Sequence, residues 1–413
     1  MTARDETESL WNSGLEIVRV LYSRGHEAYL VGGSVRDRLL GRSLHDIDIA
    51  TSALPEEVTA AFNRTIPTGL KHGTVTVFEG GRHFEVTTFR TESGYSDARR
   101  PDRVAFVRDL REDLSRRDFT INALAVGVDG ELTDPFDGRR DLRDGRIRCV
   151  GDADRRFGED ALRMLRAIRF AAEFRFSLSL SVWRGIRRQA ERLGLVSMER
   201  VGAEWDKMMA GSDPDRACGL LARSGLLSCV KEPLPEVVTA GPGGLTVRGE
   251  EWPHGLRCLR EIGDTDVRWS AFLAAVGASP EEAGALFRTL RFSGRRESRV
   301  TAAVVFQRRM ESSHDRASFI TAILDVGRSA ARDWLDMQAE GGRFRDWLAE
   351  LTVDTMGQLA VKGDQLALRL DKPAGPWVAR LLRYLLGEVA HGRLTNEKAK
   401  LLKASEEWQD AEQ

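Results

Sequence analysis

Leu30-Val31-Gly32-Gly33-Ser34-Val35-Arg36-Asp37 is followed eight residues later by His45-Asp46-Ile47-Asp48-Ile49. The first run reads as a short buried strand (Ala28–Val31), a Gly32-Gly33 turn and a brief helix, Val35–Leu40, stopped by Gly41. The second reads as a strand, Ile47–Ala50. Period-two alternation puts Asp46 and Asp48 on one face and Ile47 and Ile49 on the other. Neighbouring carboxylates repel, so stability alone does not explain them. A hard divalent cation relieves that repulsion, and Mg²⁺ is commonly held by one or two carboxylates plus substrate phosphates. Such a pair also occurs on solvated strands, so its surroundings decide.

Those surroundings favour phosphate chemistry. Gly32 and Gly33 let backbone amides approach an anion, and Arg36 adds a fork for phosphate oxygens. Thr74–Phe78 and Arg82–Thr88 read as a hairpin around Glu79-Gly80-Gly81. That hairpin places a third acid, Glu85, on a neighbouring strand. Three acids beside a glycine cradle suit two-metal phosphoryl transfer.

Working outward, Leu10–Tyr22 carries apolar residues at helical spacing, and the first 150 or so residues alternate strand and helix as an α/β head does. From about Asp152 strand signals largely stop and helical periodicity takes over. The chain has 413 residues, too many for one compact core, and Thr239–Gly244 is its most linker-like stretch. No apolar run reaches the roughly 20 residues a bilayer span needs. The N-terminus is polar and four scattered cysteines form no C-x-x-C pair, which together point to a cytoplasmic protein with free thiols. Net charge is −1, but Arg155–Gly211 holds twelve Lys and Arg against seven Asp and Glu, a basic stripe that suits an anionic partner.

Leu30–Thr51 resembles the signature of polymerase-β-type nucleotidyltransferases, and more narrowly of class II tRNA nucleotidyltransferases, the CCA-adding enzymes and bacterial poly(A) polymerases. Further segments agree in order: Arg116-Arg117-Asp118-Phe119-Thr120-Ile121-Asn122-Ala123, Asp134-Pro135-Phe136-Asp137-Gly138 with Asp141-Leu142, Glu159-Asp160-Ala161-Leu162-Arg163, and Glu199-Arg200 through Glu204 and Lys207. The resemblance is strong up to Gly211 and faint beyond. It implies a nucleotidyltransferase head over 1–148, then a helical neck (149–211), body (212–318) and tail (319–413). It also implies Mg²⁺ on Asp46 and Asp48, Glu85 supporting or activating a primer hydroxyl, and CTP and ATP as substrates. The RNA partner it implies is tRNA, held by its acceptor arm and elbow. On the incoming nucleotide it places Gly32, Gly33, Arg36 and Arg117, with Asp118 and Asn122 near the ribose.

Base choice has a chemical rationale in Glu159–Arg169. That run reads as helical, with Asp160, Arg163, Arg166 and Arg169 at every third position. Cytosine and adenine each present an amino donor beside a ring-nitrogen acceptor. An Asp accepts from the first and an Arg donates to the second, whereas uracil and guanine reverse both polarities. The resemblance assigns this reading to Asp160 and Arg163, with Arg166 and Arg169 lining the nucleotide site.

The activity expected is template-independent addition of C, C and A to the 3′ end of tRNA; addition of CC alone, of A alone, or of a poly(A) tail are the alternatives. A non-catalytic RNA-binding protein is a further alternative, opposed by the intact Asp46, Asp48 and Glu85. The polar loop Arg90–Arg111 resembles the flexible region of full CCA-adding enzymes. His314-Asp315 with His254 raises a metal phosphohydrolase site, but apolar Trp269–Gly277 fills the slot for its ligands, and His314-Asp315 reads as a surface helix start.

Overall fold

The computed structural model describes residues 3–94, 102–239 and 255–411. The chain forms two compact units, Met1–Pro233 and Leu234–Gln413. Their boundary falls inside the segment 212–318 expected to form one body. The reason is that the helix Pro214–Ser224 packs on the helices before it.

The first unit opens with α1 (Ala3–Ser23), which starts earlier than Leu10 and buries Ile17, Val18 and Leu21 completely. Then come β1 (Ala28–Val31), α2 (Gly33–Leu39), β2 (Asp48–Thr51), α3 (Pro55–Ala61), β3 (Thr65–Gly69), β4 (Thr74–Glu79) and β5 (Arg82–Thr88). With β8 (Ala125–Val126) and β9 (Leu132–Thr133) they build a seven-stranded sheet ordered β3-β4-β5-β2-β1-β8-β9. Within it β2 and β5 run parallel and the other pairs antiparallel. A parallel pair needs a crossover, which α3, β3 and β4 supply. The register sets Asp48 beside Glu85 on one side and Val31 on the other. On β5, Phe84, Val86 and Thr88 are buried, while Glu85 and Thr87 face the opposite way.

Two expectations change here. β2 begins at Asp48, so Asp46 precedes the strand. The expected loop Arg90–Arg111 is ordered at both ends: β6 (Arg90–Ser93) pairs with β7 (Arg103–Phe106), and α4 (Leu110–Ser115) follows. Tyr95, Asp97, Arg99, Arg100 and Pro101 lie outside the described residues.

The chain continues with α5 (Gly138–Arg143), β10 (Arg146–Ile147), α6 (Ala153–Glu159), α7 (Leu162–Glu173), β11 (Ser177–Leu178), α8 (Leu180–Gln189), α9 (Met198–Ala210) and α10 (Pro214–Ser224). The run Glu159–Arg169 is not one helix. Asp160 is extended (φ −141°, ψ 107°), ends α6, and accepts the Leu162 N–H at 3.0 Å, opening α7. Asp prefers such helix starts, where its carboxylate satisfies an otherwise unpaired amide.

The second unit is helical, and its apolar packing among the described residues includes two clusters. One gathers Phe306, Phe319, Trp334 and Phe344, the other Val361, Leu366, Leu381 and Leu401. Trp269 and its neighbours are buried in Thr265–Ala275, as their apolar run requires. Asp315 caps Arg316–Val326 by accepting the Ser318 N–H at 2.8 Å, so His314-Asp315 is a helix start. His254 and most of the expected linker lie outside the described residues. No helix among the described residues is long and apolar enough to cross a membrane.

Candidate active site

A cleft of about 540 Å³ opens in the first unit where β1, β2 and β5 meet α7. Its lining holds six arginines (Arg36, Arg90, Arg116, Arg117, Arg163, Arg166) and five carboxylates (Asp48, Glu85, Asp113, Asp118, Asp160). So many charges in a confined space suit a highly charged ligand that neutralises both signs.

Asp48 and Glu85 stand side by side on the sheet. Asp48 keeps accessible surface, yet desolvation raises its pKa; Arg117 opposes this, while Glu85 and Asp46 add to it. A cation would relieve that strain, so the donor set fits a divalent ion. Asp46 is exposed just before β2 and is not part of the cleft lining, contrary to a pair projecting from one strand. Among the described residues no three His, Cys, Asp or Glu side chains are already gathered as a metal cluster.

Beside the acids, Gly32 has φ +75°, and a Cβ there would lie 2.6 Å from Arg117 Nη1. Only glycine permits both the conformation and the approach. Arg36 is buried, paired with Asp37 at 2.8 Å, and donates from Nη1 to Asn122 Oδ1. Asn122 donates in turn to Asp118 Oδ1 at 3.0 Å, and Arg166 holds Asp118 Oδ2 at 2.7 Å. Burial would raise the Asp118 pKa, but Arg166, Asn122 and Arg163 together hold it well below the usual carboxylate range.

The base-reading side departs from expectation in its pairing. Asp160 and Arg163 share the cleft wall, but Asp160 pairs with Arg200 at 2.9 Å and Arg163 with Glu159 at 2.8 Å. Arg163 also donates to the carbonyls of Arg116 (3.0 Å) and Arg156 (3.3 Å). The break at Asp160 explains this, because it takes the two side chains off a common helix face. Arg169 does not line the cleft; it turns to buried Glu204. Nine of the twelve cations in Arg155–Gly211 have a carboxylate partner, so the stripe's outward field is smaller than its net charge suggests.

The sequence reading missed a buried hub at Asp113, 1% exposed. Its Oδ1 accepts from Arg116 at 2.8 Å and from the Arg90 amide at 3.3 Å, and its Oδ2 lies 3.6 Å from Arg117. Asp113 is one of three acids in Asp109-Leu110-Arg111-Glu112-Asp113, and nothing in that run singles it out; only the Arg116-Arg117 pair hinted at a carboxylate partner. Asp134-Pro135-Phe136-Asp137-Gly138 proves to be a buttress. Asp134 caps α5 by accepting from Gly138 and Arg139 N–H (2.7 and 2.9 Å), and Asp141 accepts from the Thr120 hydroxyl behind Asp118. A Cβ on Gly138 would lie 2.2 Å from the Thr120 carbonyl oxygen, so a side chain there would displace that support.

Comparison with known proteins places the chain among its relatives. Residues 28–148 match the poly A polymerase head domain, 175–237 a probable RNA and SrmB binding site of polymerase A, and 261–405 a putative tRNA nucleotidyltransferase domain 2. The CCA-adding enzyme of Geobacillus thermodenitrificans is 38% identical over 95% of both chains. That of Geobacillus kaustophilus is 40% identical, again over 95% of both. The crystal structure of the Bacillus stearothermophilus CCA-adding enzyme in complex with CTP superposes with a TM-score of 0.79 at 35% identity, covering 97% of this chain and 98% of that one. A Thermotoga maritima CCA-adding enzyme complexed with tRNA shares the fold at 18% identity and a TM-score of 0.65, over 95% and 94% of the two chains. A polymerase-β-like head with its acids on β2 and β5, a helical remainder and near-full-length identity lead to one assignment: the chain belongs to the CCA-adding enzyme family of tRNA nucleotidyltransferases.

Proposed function

We propose that this protein adds C, C and A in order to the 3′ end of tRNA from CTP and ATP without a nucleic-acid template. The observation that carries the reading is one cleft whose lining brings together Asp48 and Glu85, Arg36 and Arg117, and Asp160 and Arg163. The tRNA 3′-hydroxyl attacks the α-phosphate, a new phosphodiester forms, and pyrophosphate leaves. Arg36 and Arg117 orient the triphosphate, Asp118 and Asn122 the ribose, and Glu85 the attacking hydroxyl. Asp46 and Asp48 would hold Mg²⁺, which when bound neutralises charge on the phosphates; Asp46 needs only a local shift, since it lies outside regular structure.

Asp160 and Arg163 retain the capacity to read a base. Arg163 has five N–H donors, of which three protein contacts engage a part, and Asp160 oxygens accept only two. Cytosine and adenine match this donor–acceptor polarity; uracil and guanine oppose it. The neck and helical remainder bind the acceptor arm and elbow through backbone and shape, because every tRNA must be served.

The test is product length on tRNA lacking its 3′ end, with CTP alone, ATP alone and both. Addition of C, C and A followed by arrest supports the reading. Products halted at CC despite ample ATP mark a CC-adding enzyme, ATP use only after CC an A-adding one, and a long A tail a poly(A) polymerase. No incorporation of any nucleotide would leave an RNA-binding protein.

A further inference from the structure

We infer that Phe170 is a positioning residue that sets the orientation of the cleft arginines through the face of its ring. This rests on the nucleotidyltransferase reading above and deepens it. Phe170 is 4% exposed on α7, meets Phe119 edge-on (5.8 Å, 88°) and stacks flat on Phe174 (5.7 Å, 9°). Three guanidinium carbons lie close to its centroid: Arg169 at 4.1 Å, and Arg36 and Arg166 at 5.2 Å each. Arg36 also sits 4.7 Å from the Phe174 centroid, so it touches both rings of the stack.

Three like charges around one ring would repel. Each is therefore tied at its other end to its own carboxylate: Arg36 to Asp37, Arg166 to Asp118, Arg169 to Glu204. For Arg166 and Arg169 the carboxylate fixes one edge of the guanidinium but leaves its plane free to tilt; Arg36 has a second hold, its Nη1 donating to Asn122 Oδ1. The negative face of an aromatic ring attracts the cation over it and restricts that tilt. Of the three arginines, Arg36 and Arg166 line the cleft beside Phe170 itself. The ring thus holds the donors that meet the incoming nucleotide in place before it arrives, lowering the ordering cost of binding. An aliphatic residue of similar size would fill the space without supplying the face.

The test replaces Phe170 with mono-, di- and trifluorophenylalanine. These keep the ring's shape while withdrawing charge from its face, so a space-filling role would register no trend. KM for CTP and for ATP should climb with each added fluorine, reaching about tenfold at three, with tRNA KM unchanged. Phe170→Leu should raise nucleotide KM similarly, and Phe170→Tyr should restore it. Binding of CTP without tRNA, by equilibrium dialysis, should weaken in parallel. A flat KM across the fluorinated series overturns the inference. If the unsubstituted protein neither binds nor incorporates CTP or ATP, the functional reading fails instead, and the two failures are distinct.

Discussion

Asp160→Asn should reduce discrimination against UTP by about thirtyfold. Uracil opposes the reader at two places: its O4 faces the Asp160 carboxylate and its N3–H faces Arg163. Each buried group left without a partner costs about 2 kcal/mol, so the two mismatches give about 4 kcal/mol, or close to a thousandfold. An asparagine amide can donate to O4 and remove one mismatch, which leaves about thirtyfold from Arg163 alone. The structure adds a second effect. The two Asp160 oxygens accept from Leu162 N–H and from Arg200, both donors. Whichever way the new amide turns, its NH₂ opposes one of them, and Arg200 already has a buried Nη1 without a hydrogen-bond partner. Stability should therefore fall by about 1–3 kcal/mol, read by urea unfolding. Selectivity is read separately, as the ratio of kcat/KM for CTP and UTP on tRNA lacking its 3′ end. A ratio has the same active fraction above and below, so partial unfolding cancels. An unchanged ratio in a folded mutant would refute base reading by Asp160.

Asp46→Ala or Asp48→Ala should each abolish transfer while tRNA affinity, measured by filter binding, stays near wild type; turnover retained in both would remove them from the metal site. Gly32→Ala forces a side chain to φ +75° and into Arg117, so nucleotide KM should rise and stability fall by about 1–3 kcal/mol, measured by steady-state kinetics and urea unfolding. Asp118→Asn should destabilise by about 3 kcal/mol near pH 7, since it strips Arg166 of its buried partner. Because Asp118 has a lowered folded pKa, its contribution is complete above the unfolded value of about 3.9. It is lost as pH falls through the folded value, so the gap between mutant and wild type should shrink in acid; a gap constant down to pH 2–3 would show that the ion pair is not its source.

Much of this protein was readable from local pattern. The glycine turn after β1 is visible because no other residue reaches φ +75° so easily, and the alternation of Ile47, Asp48 and Ile49 shows which face is buried because a strand repeats every second residue. Arg36, Arg117, Asp118, Asn122, Asp160, Arg163 and Arg166, far apart in the chain, all line one cleft. Pairing was not readable. Glu159 and Arg200 are the partners of Arg163 and Asp160 because an Asp cap splits α6 from α7 and because α9 packs on α7. Asp113 becomes a hub only when α4 and β6 meet, and Phe170 meets Arg36 only when the neck folds back onto the head. A charge chooses its partner by distance through space, and one-dimensional spacing carries that distance only within a single helix or strand.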